Sequence, residues 1–350
     1  MVTVSLPPDR WTGAGRALRD LWGAARRHHE LRLVSGWWRD RASLPPDACA
    51  VELRGHAGPR ARAKLAWAVA EEVRRFRPDL VVSGTVALPP LRAPLVLVMH
   101  DLRLFGGTLA DRLRGRAFAQ LAGRADAVVT TSLHASSALQ ALGLPADRLR
   151  LVPGAVDLEH FAPDPAARAG APLEIVCPGR ILPAKGQHLV IDAVARLPRQ
   201  HKAQVQLTIA GSVVDPVYLD QLRVQAWQQP VRFVLDPPLL APHLRAADMV
   251  VLPSIDEAGF STAALEAMAC GAPLIWSDRP AIREVVGGLG QSFRPDDMSG
   301  LRAALSRWID APAERRAASE AALRFVRGNN GWDVVWPKYD RIFEAVGRGS

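Results

Sequence analysis

The stretch Leu252–Pro273, LPSIDEAGFSTAALEAMACGAP, decides the fold. The residues leading into it, Asp248–Leu252 (DMVVL), are a short apolar β-branched run bounded by Pro253, the composition of a buried parallel strand. Ser254 to Ser261 is rich in turn formers. Thr262–Cys270 is a run of Ala, Leu, Met and Glu that favours helix, and Gly271 and Pro273 end it. The order is strand end, tight loop, helix. In open α/β sheets, ligands sit at the carboxyl ends of strands, where helix N-termini aim N–H groups at anions. Glu266 falls about one turn inside such a helix. A carboxylate only accepts, which suits two adjacent sugar hydroxyls; a surface glutamate on an Ala-rich helix is the plainer alternative.

Working upstream, Arg232–Leu235 and Gln206–Ala210 read as further strands, and Leu239–Ala247 as a short helix. Leu173–Cys177 is another strand, followed by Pro178–Gly186 (PGRILPAKG) and a helix over Gln187–Leu197. Arg180 and Lys185 therefore lie on a loop at a strand's end. Two cations five residues apart at a helix N-terminus suit a diphosphate group. Downstream, LIWSD gives one more strand; Ala281–Val286, Ala303–Trp308 and Pro312–Arg327 are helical, the last with proline where a first turn tolerates it.

The first half is a second βα series. Val2–Leu6 is a strand, Pro7–Arg16 (PPDRWTGAGR) a loop containing Gly13 and Gly15, and Ala17–His28 a helix. Strand, Gly loop, helix is a phosphate-cradling order, but GAG without further glycines is not a dinucleotide fingerprint. Leu31–Ser35, Pro78–Ser83, Pro94–His100 and Ala125–Thr131 are strands; Ser132 is a plausible N-cap for a helix over Ala135–Leu142. Arg54–Arg77 and Asp111–Arg124 are basic amphipathic stretches, suited either to a solvated face or to an anionic membrane surface. His100 sits at a strand's carboxyl end, where an imidazole can bond a sugar hydroxyl or move a proton. Pro163–Pro172 (PDPAARAGAP) has linker composition.

Composition narrows the class. A chain of 350 residues with 49% hydrophobic and 23% charged residues is globular and long enough for two domains. MVTVSLPPDR lacks the pattern of a secretory signal, and three prolines and Arg92 interrupt Leu80–Met99, the longest apolar stretch. Cys49, Cys177 and Cys270 have no metal spacing and fit free thiols in a cytoplasmic protein. The net charge of +9 is uneven: residues 1–165 hold 23 Lys+Arg against 16 Asp+Glu, and residues 166–350 hold 21 against 19. The basic half points to an anionic partner, and no nucleic-acid motif accompanies it.

Leu252–Pro273 resembles the donor-site signature of the GT-B retaining glycosyltransferases of family 4 (group 1), P-S-x-x-E-G-F-G-x-x-x-x-E-A-M-A-x-G-x-P. Pro253, Ser254, Gly259, Phe260, Glu266, Ala267, Met268, Ala269, Gly271 and Pro273 match. One departure stands out: the family's first glutamate falls on Ala258, and the nearest acid, Glu257, comes one residue early. Pro178–Gly186 resembles the family's "GRl...KG", Gly211–Ser212 its "vGdg" loop, His100–Asp101 its "HD", and Asn330–Val346 its terminal helix.

The resemblance implies two Rossmann-like α/β domains facing across a cleft. It puts the acceptor-side domain at 1–165, the nucleotide-sugar domain at 170–330, and a C-terminal helix at 331–350 crossing back. It implies transfer of a sugar from a nucleotide-diphosphate donor to a glycan or lipid-linked acceptor, with retention, in cell-envelope glycan synthesis on the inner membrane face. No cofactor and no essential metal are expected. His100, Arg180, Lys185 and Glu257 take the catalytic roles, and Gly13, Gly15, Gly179, Gly211, Gly259, Phe260, Ser261 and Glu266 hold the donor. Two alternatives are a GT-B scaffold with weakened turnover that acts as a binding partner, motivated by Ala258, and a nucleotide-sugar epimerase. An NAD enzyme fits less well, since no G-x-G-x-x-G follows the first strand.

Overall fold

The computed structural model describes residues 2–5, 13–37, 48–52, 59–86, 88–99, 109–167, 170–237, 239–257 and 260–348. Two compact units emerge, one of Met1–Gly154 with Trp332–Ser350 and one of Ala155–Gly331.

The first unit runs β1 (Val2–Ser5), α1 (Gly13–Ala25), β2 (Arg32–Trp37), β3 (Cys49–Glu52), α2 (Pro59–Phe76), β4 (Val81–Ser83) and β5 (Leu95–Met99). It continues through α3 (Leu109–Ala122), β6 (Ala127–Thr130), α4 (Leu133–Ala141) and β7 (Leu149–Leu151). Its seven strands form one parallel sheet in the order β3-β2-β1-β4-β5-β6-β7. Short Val-rich strands suit this arrangement: β4 and β6 are buried throughout, so both faces need apolar side chains. Leu65, Ala68 and Val69 of α2 join Val34, Val51 and Val81 in one core cluster. Ser132 caps α4 as its sequence predicts, its Oγ accepting from the Ala135 N–H at 3.0 Å.

The second unit runs β8 (Leu173–Pro178), α5 (Gln187–Ala195), α6 (Arg199–Lys202), β9 (Val205–Gly211), α7 (Pro216–Gln225), β10 (Val231–Leu235), α8 (Ala241–Ala246) and β11 (Met249–Leu252). It ends with α9 (Thr262–Ala269), β12 (Leu274–Ser277), α10 (Pro280–Val286), β13 (Gln291–Phe293), α11 (Met298–Asp310) and α12 (Pro312–Asn329). The parallel sheet order is β10-β9-β8-β11-β12-β13. Strand alternation builds two cores. Ile175, Cys177, Met249 and Val251 face a layer containing Ile191, Leu222 and Leu305, whereas Val176, Val250 and Leu252 face one containing Leu265, Met268 and Val326.

A final helix, α13 (Trp332–Gly347), packs with the first unit: His28 stacks on Trp336 with centroids 5.1 Å apart, and His29 Nε2 meets Asp340 Oδ1 at 2.9 Å. The linker expected at 163–172 does not mark the unit boundary, which lies at Gly154/Ala155. Residues after it are tied into the second unit. The Val156 N–H donates to Asn330 O at 2.9 Å, Arg245 donates to His160 O and Ala162 O, and Phe161 is buried in the second core. At the other end, α1 begins at Gly13, so Gly13 and Gly15 occupy the first turn of a helix rather than a loop before it.

Candidate functional site

Three loops at the carboxyl ends of strands in the second unit interlock, and glycine makes this possible. Gly179 leaves β8 with φ 139°, and its N–H donates to Ala210 O at 2.9 Å. A Cβ at Gly211, where β9 ends, would stand 1.8 Å from Gly179 O, so only glycine allows the two backbones this close. The chain then forms a short 3₁₀ turn, Pro183–Lys185, closed by Gly186 in the left-handed region at φ 69°. A Cβ at Gly186 would meet Pro253 O at 2.2 Å. The loop after β8 is thus pressed onto the loop after β11. The Ile255 and Asp256 N–H groups both donate to Ala184 O, at 2.9 and 3.1 Å, and Ser277 Oγ at the end of β12 donates to Ser254 O at 2.7 Å.

The clamp brings two charges together. Lys185 Nζ donates to both carboxylate oxygens of Glu257, at 2.7 and 2.5 Å, with side chains only 18% and 10% exposed. Ser254 Oγ donates to the same carboxylate at 2.9 Å. Lys185 follows β8 and Glu257 follows β11. These strands are neighbours from which the chain winds outward in opposite directions, so the pair spans the topological switch point of the sheet. Arg180 is partly buried on the same loop, its backbone carbonyl accepting from the Nε2 of fully buried Gln187 at 2.9 Å.

Burial pushes the Cys177 thiol up to about 12, with Lys185 nearby pulling the other way. The Tyr218 hydroxyl oxygen Oη accepts from the His188 N–H at 3.1 Å and lies 2.7 Å from its Nδ1. Burial lowers the His188 pKa, with Asp192 opposing, and raises Tyr218 to about 12. The Tyr218 hydroxyl therefore engages the first turn of α5 at His188. Glu266 lies in the second turn of α9, buried among Ala264, Leu265, Ala267 and Met268. Ser261, at the start of that helix, is buried and gives it no side-chain cap; Phe260 is partly buried beside it.

Comparison with known proteins fits this geometry. Residues 11–160 match the family described as Glycosyltransferase Family 4, and residues 162–325 match Glycosyl transferases group 1. A D-inositol 3-phosphate glycosyltransferase of Jonesia denitrificans is 30% identical over 287 residues, covering 72% of this chain and 68% of the relative. The chain belongs to glycosyltransferase family 4, of the GT-B fold. A glycogen synthase of Mycobacterium tuberculosis is 36% identical over 184 residues, and the match spans 51% of this chain and 44% of that enzyme, so less than half of its length. Among solved structures, a sucrose-phosphate synthase of Thermosynechococcus elongatus aligns over 100% of both chains with a TM-score of 0.83 at 21% identity. The Anabaena protein HepE in complex with UDP-glucose aligns over 98% of this chain and 99% of its own with a TM-score of 0.79 at 20% identity.

Of the residues that the family signature singles out, the structure brings Gly179, Arg180, Lys185, Gly211 and Glu257 together at the ends of β8, β9 and β11. Phe260, Ser261 and Glu266 follow on the start of α9. Glu257, to which the resemblance gives a catalytic role, directs its carboxylate to Lys185 and Ser254. Gly13 and Gly15 lie in the first unit, on α1. His100 and Gly259 lie outside the described residues, as does Ala258. Sequence reasoning missed the backbone carbonyl of Ala184 and the side chains of Gln187, His188, Tyr218 and Ser277. None stands in a pattern that marks it, because each acts on its neighbours by proximity in the fold.

Proposed function

We propose that this chain transfers a hexose-type sugar from a nucleoside diphosphate donor to a glycan or lipid-linked acceptor, with retention at the anomeric carbon. The observation that carries this reading is the cationic pair Arg180 and Lys185 on the loop after β8, at the switch point of a parallel sheet. The diphosphate of the donor is assigned to these two side chains, which stabilise the charge that develops on the leaving group. Glu266 accepts from the ribose hydroxyls, the 259–261 loop takes the sugar, and His100 serves its acceptor side. HepE, whose solved structure holds UDP-glucose, supports a nucleotide sugar as the donor class. The reaction is assigned no cofactor, its charge stabilisation coming from the protein.

A second reading, a scaffold with weakened turnover, is favoured by one observation: Glu257, the acid nearest Ala258, is engaged by Lys185. Thermal-shift titration with UDP, GDP and ADP and their sugars, followed by donor-hydrolysis and transfer assays, separates the two. A ligand at 100 times its Kd adds about 2.7 kcal/mol of stability. Stabilisation with turnover supports the transferase, stabilisation without turnover the scaffold, and no stabilisation by any nucleotide sinks both.

The acceptor-side partner is assigned to an anionic membrane surface on the cytoplasmic face. No described helix is long and apolar enough to cross a membrane. The support comes from α2, where Trp67 stands 68% exposed on a face that also carries Arg60, Lys64 and Arg74. Salt-sensitive co-sedimentation with vesicles containing anionic lipid, weakened by Trp67→Ala, is the expected result. Absence of binding at low salt refutes it.

A further inference from the structure

Between β4 and β5 the first unit departs from the usual pattern of a parallel sheet, in which the crossover between strands carries a helix. Residues 84–94, GTVALPPLRAP, hold Pro89, Pro90 and Pro94, and no helix is described among them. Proline lacks an N–H and keeps the residue before it out of helical backbone, so this sequence crosses as a loop. Its apolar side chains are shared between two cores. Leu88 and Leu91 pack against the cluster that includes Leu65 and Val69 of α2, and Val86 against the one that includes Phe118 and Ala119 of α3. Where this loop meets the end of α3, a cavity of about 580 Å³ opens among Leu88, Leu91, Leu95, Leu97 and Leu121. Leu121, on the last turn of α3, is 37% exposed. The volume lies in the range that holds one small ligand.

Arg92, Arg124 and Asp126 line the same cavity. Asp126 is already engaged: its Oδ2 accepts from the Leu95 N–H at 2.9 Å, and the Arg148 guanidinium stands 3.7 Å from its Oδ1. Arg92 and Arg124 are exposed, and neither side chain has a hydrogen bond or ion pair with a described residue. An apolar cavity beside two uncommitted guanidiniums and one neutralised carboxylate matches an amphiphile with an anionic head. Leucines gain by covering an alkyl chain, and a phosphate takes forked, charge-assisted hydrogen bonds from arginine. We propose that this cavity binds a single-chain alkyl phosphate, its tail among the leucines and its head held by Arg92 and Arg124. Pro94 immediately precedes β5 and Asp126 precedes β6, so the head lies at the amino edge of the sheet. Ligands of the reaction belong at the carboxyl edge. The site is therefore separate from the donor site, and it stands whether or not the chain transfers sugar.

Isothermal titration of the full chain with octyl phosphate, kept below its micelle concentration, tests this. The expected result is a saturable site, weakened about tenfold by Arg92→Gln or Arg124→Gln as each removes a charge-assisted hydrogen bond. Leu121→Asp, at a position open to solvent, abolishes binding and leaves circular dichroism unchanged. Octyl glucoside has the chain without the charge, and inorganic phosphate the charge without the chain; each binds at least about tenfold more weakly. Co-sedimentation with phosphatidic acid vesicles that falls in the arginine variants assigns the phosphate to a bilayer lipid. Co-sedimentation indifferent to them assigns it to a soluble one, and both results keep the site. Failure to saturate, binding that survives the combined arginine variant, or equal binding of octyl glucoside overturns the proposal. So does displacement by UDP, GDP or ADP, which would put the probe in the donor site.

Discussion

Replacing Glu257 with glutamine keeps the side chain's shape and removes its charge from Lys185. The structure allows the consequence to be sized. Two contacts of 2.7 and 2.5 Å join groups that are 18% and 10% exposed, so solvent screens them weakly. At an effective dielectric of about 20, two unit charges some 3 Å apart attract by roughly 5 kcal/mol, and desolvating both offsets much of that. A net coupling of about 1.5–3 kcal/mol remains, the usual worth of a hydrogen bond to a charged group. A double-mutant cycle of Glu257→Gln and Lys185→Met should return that coupling in chemical denaturation. Each 1 kcal/mol lowers Tm by about 2–4 °C in a domain of 150–250 residues. A coupling below about 0.5 kcal/mol refutes the claim that the pair holds the two loops together. Ligand binding moves the other way. Glu257 repels a diphosphate brought to Lys185, so Glu257→Gln should bind free nucleoside diphosphate about tenfold tighter, a gain of 1.4 kcal/mol. Weaker binding in isothermal titration would show that the carboxylate positions the lysine for the donor instead of competing with it.

Lys185→Ala and Glu266→Ala should each lower donor turnover by about 10²–10³ with the fold retained, as loss of one positioned electrostatic contact does; near-normal kinetics would remove that residue from the site. Gly211→Ala should cost several kcal/mol of stability, about as much as the most damaging single substitutions, because its Cβ would lie 1.8 Å from a backbone oxygen that cannot yield; an unchanged denaturation midpoint refutes the close approach. His188 and His243 titrate below their ordinary 6.5, chiefly through burial, so the unfolded chain binds more protons than the folded one in acid. Their stabilisation is therefore complete above pH 6.5 and is lost as pH falls below it, and His188→Gln should flatten the Tm profile between about pH 7 and 5.

The strand and helix at the centre of the site were legible because their residues answer to two cores at once. β11 reads as an unbroken apolar run since Met249 and Val251 face one layer while Val250 and Leu252 face the other. The Arg180/Lys185 loop was legible for a similar reason: its glycines and cations stand where strand and helix signals bracket them. α7 escaped detection although Asp215 caps it and Pro216 opens it, because Val217 and Val224 on its outer side erase the apolar–polar period. β13 escaped because it is three residues long and only Phe293 is buried. The division at 154/155 falls ahead of the linker-like stretch 163–172, because proline and alanine composition says nothing of Arg245, which holds the preceding segment across 83 and 85 residues of chain.

Glu257 shows most plainly where sequence stops. Its type and its offset from the family pattern are visible in the chain, and its partner is not. The partner is set by Ala184 O, which accepts from both Ile255 and Asp256 and so fixes the loop after β11 against the 3₁₀ turn. With residue 256 held at residue 184, residue 257 comes level with 185, and an acid there meets the lysine. The family signature has its glutamate at the position of Ala258, so Ala258→Glu, made with Glu257 left in place, should supply the sugar-side contact and keep the Lys185 pair. It should raise sugar-nucleotide affinity while leaving free nucleoside diphosphate affinity unchanged. Equal changes in both affinities would refute a separate sugar-side role for an acid at residue 258.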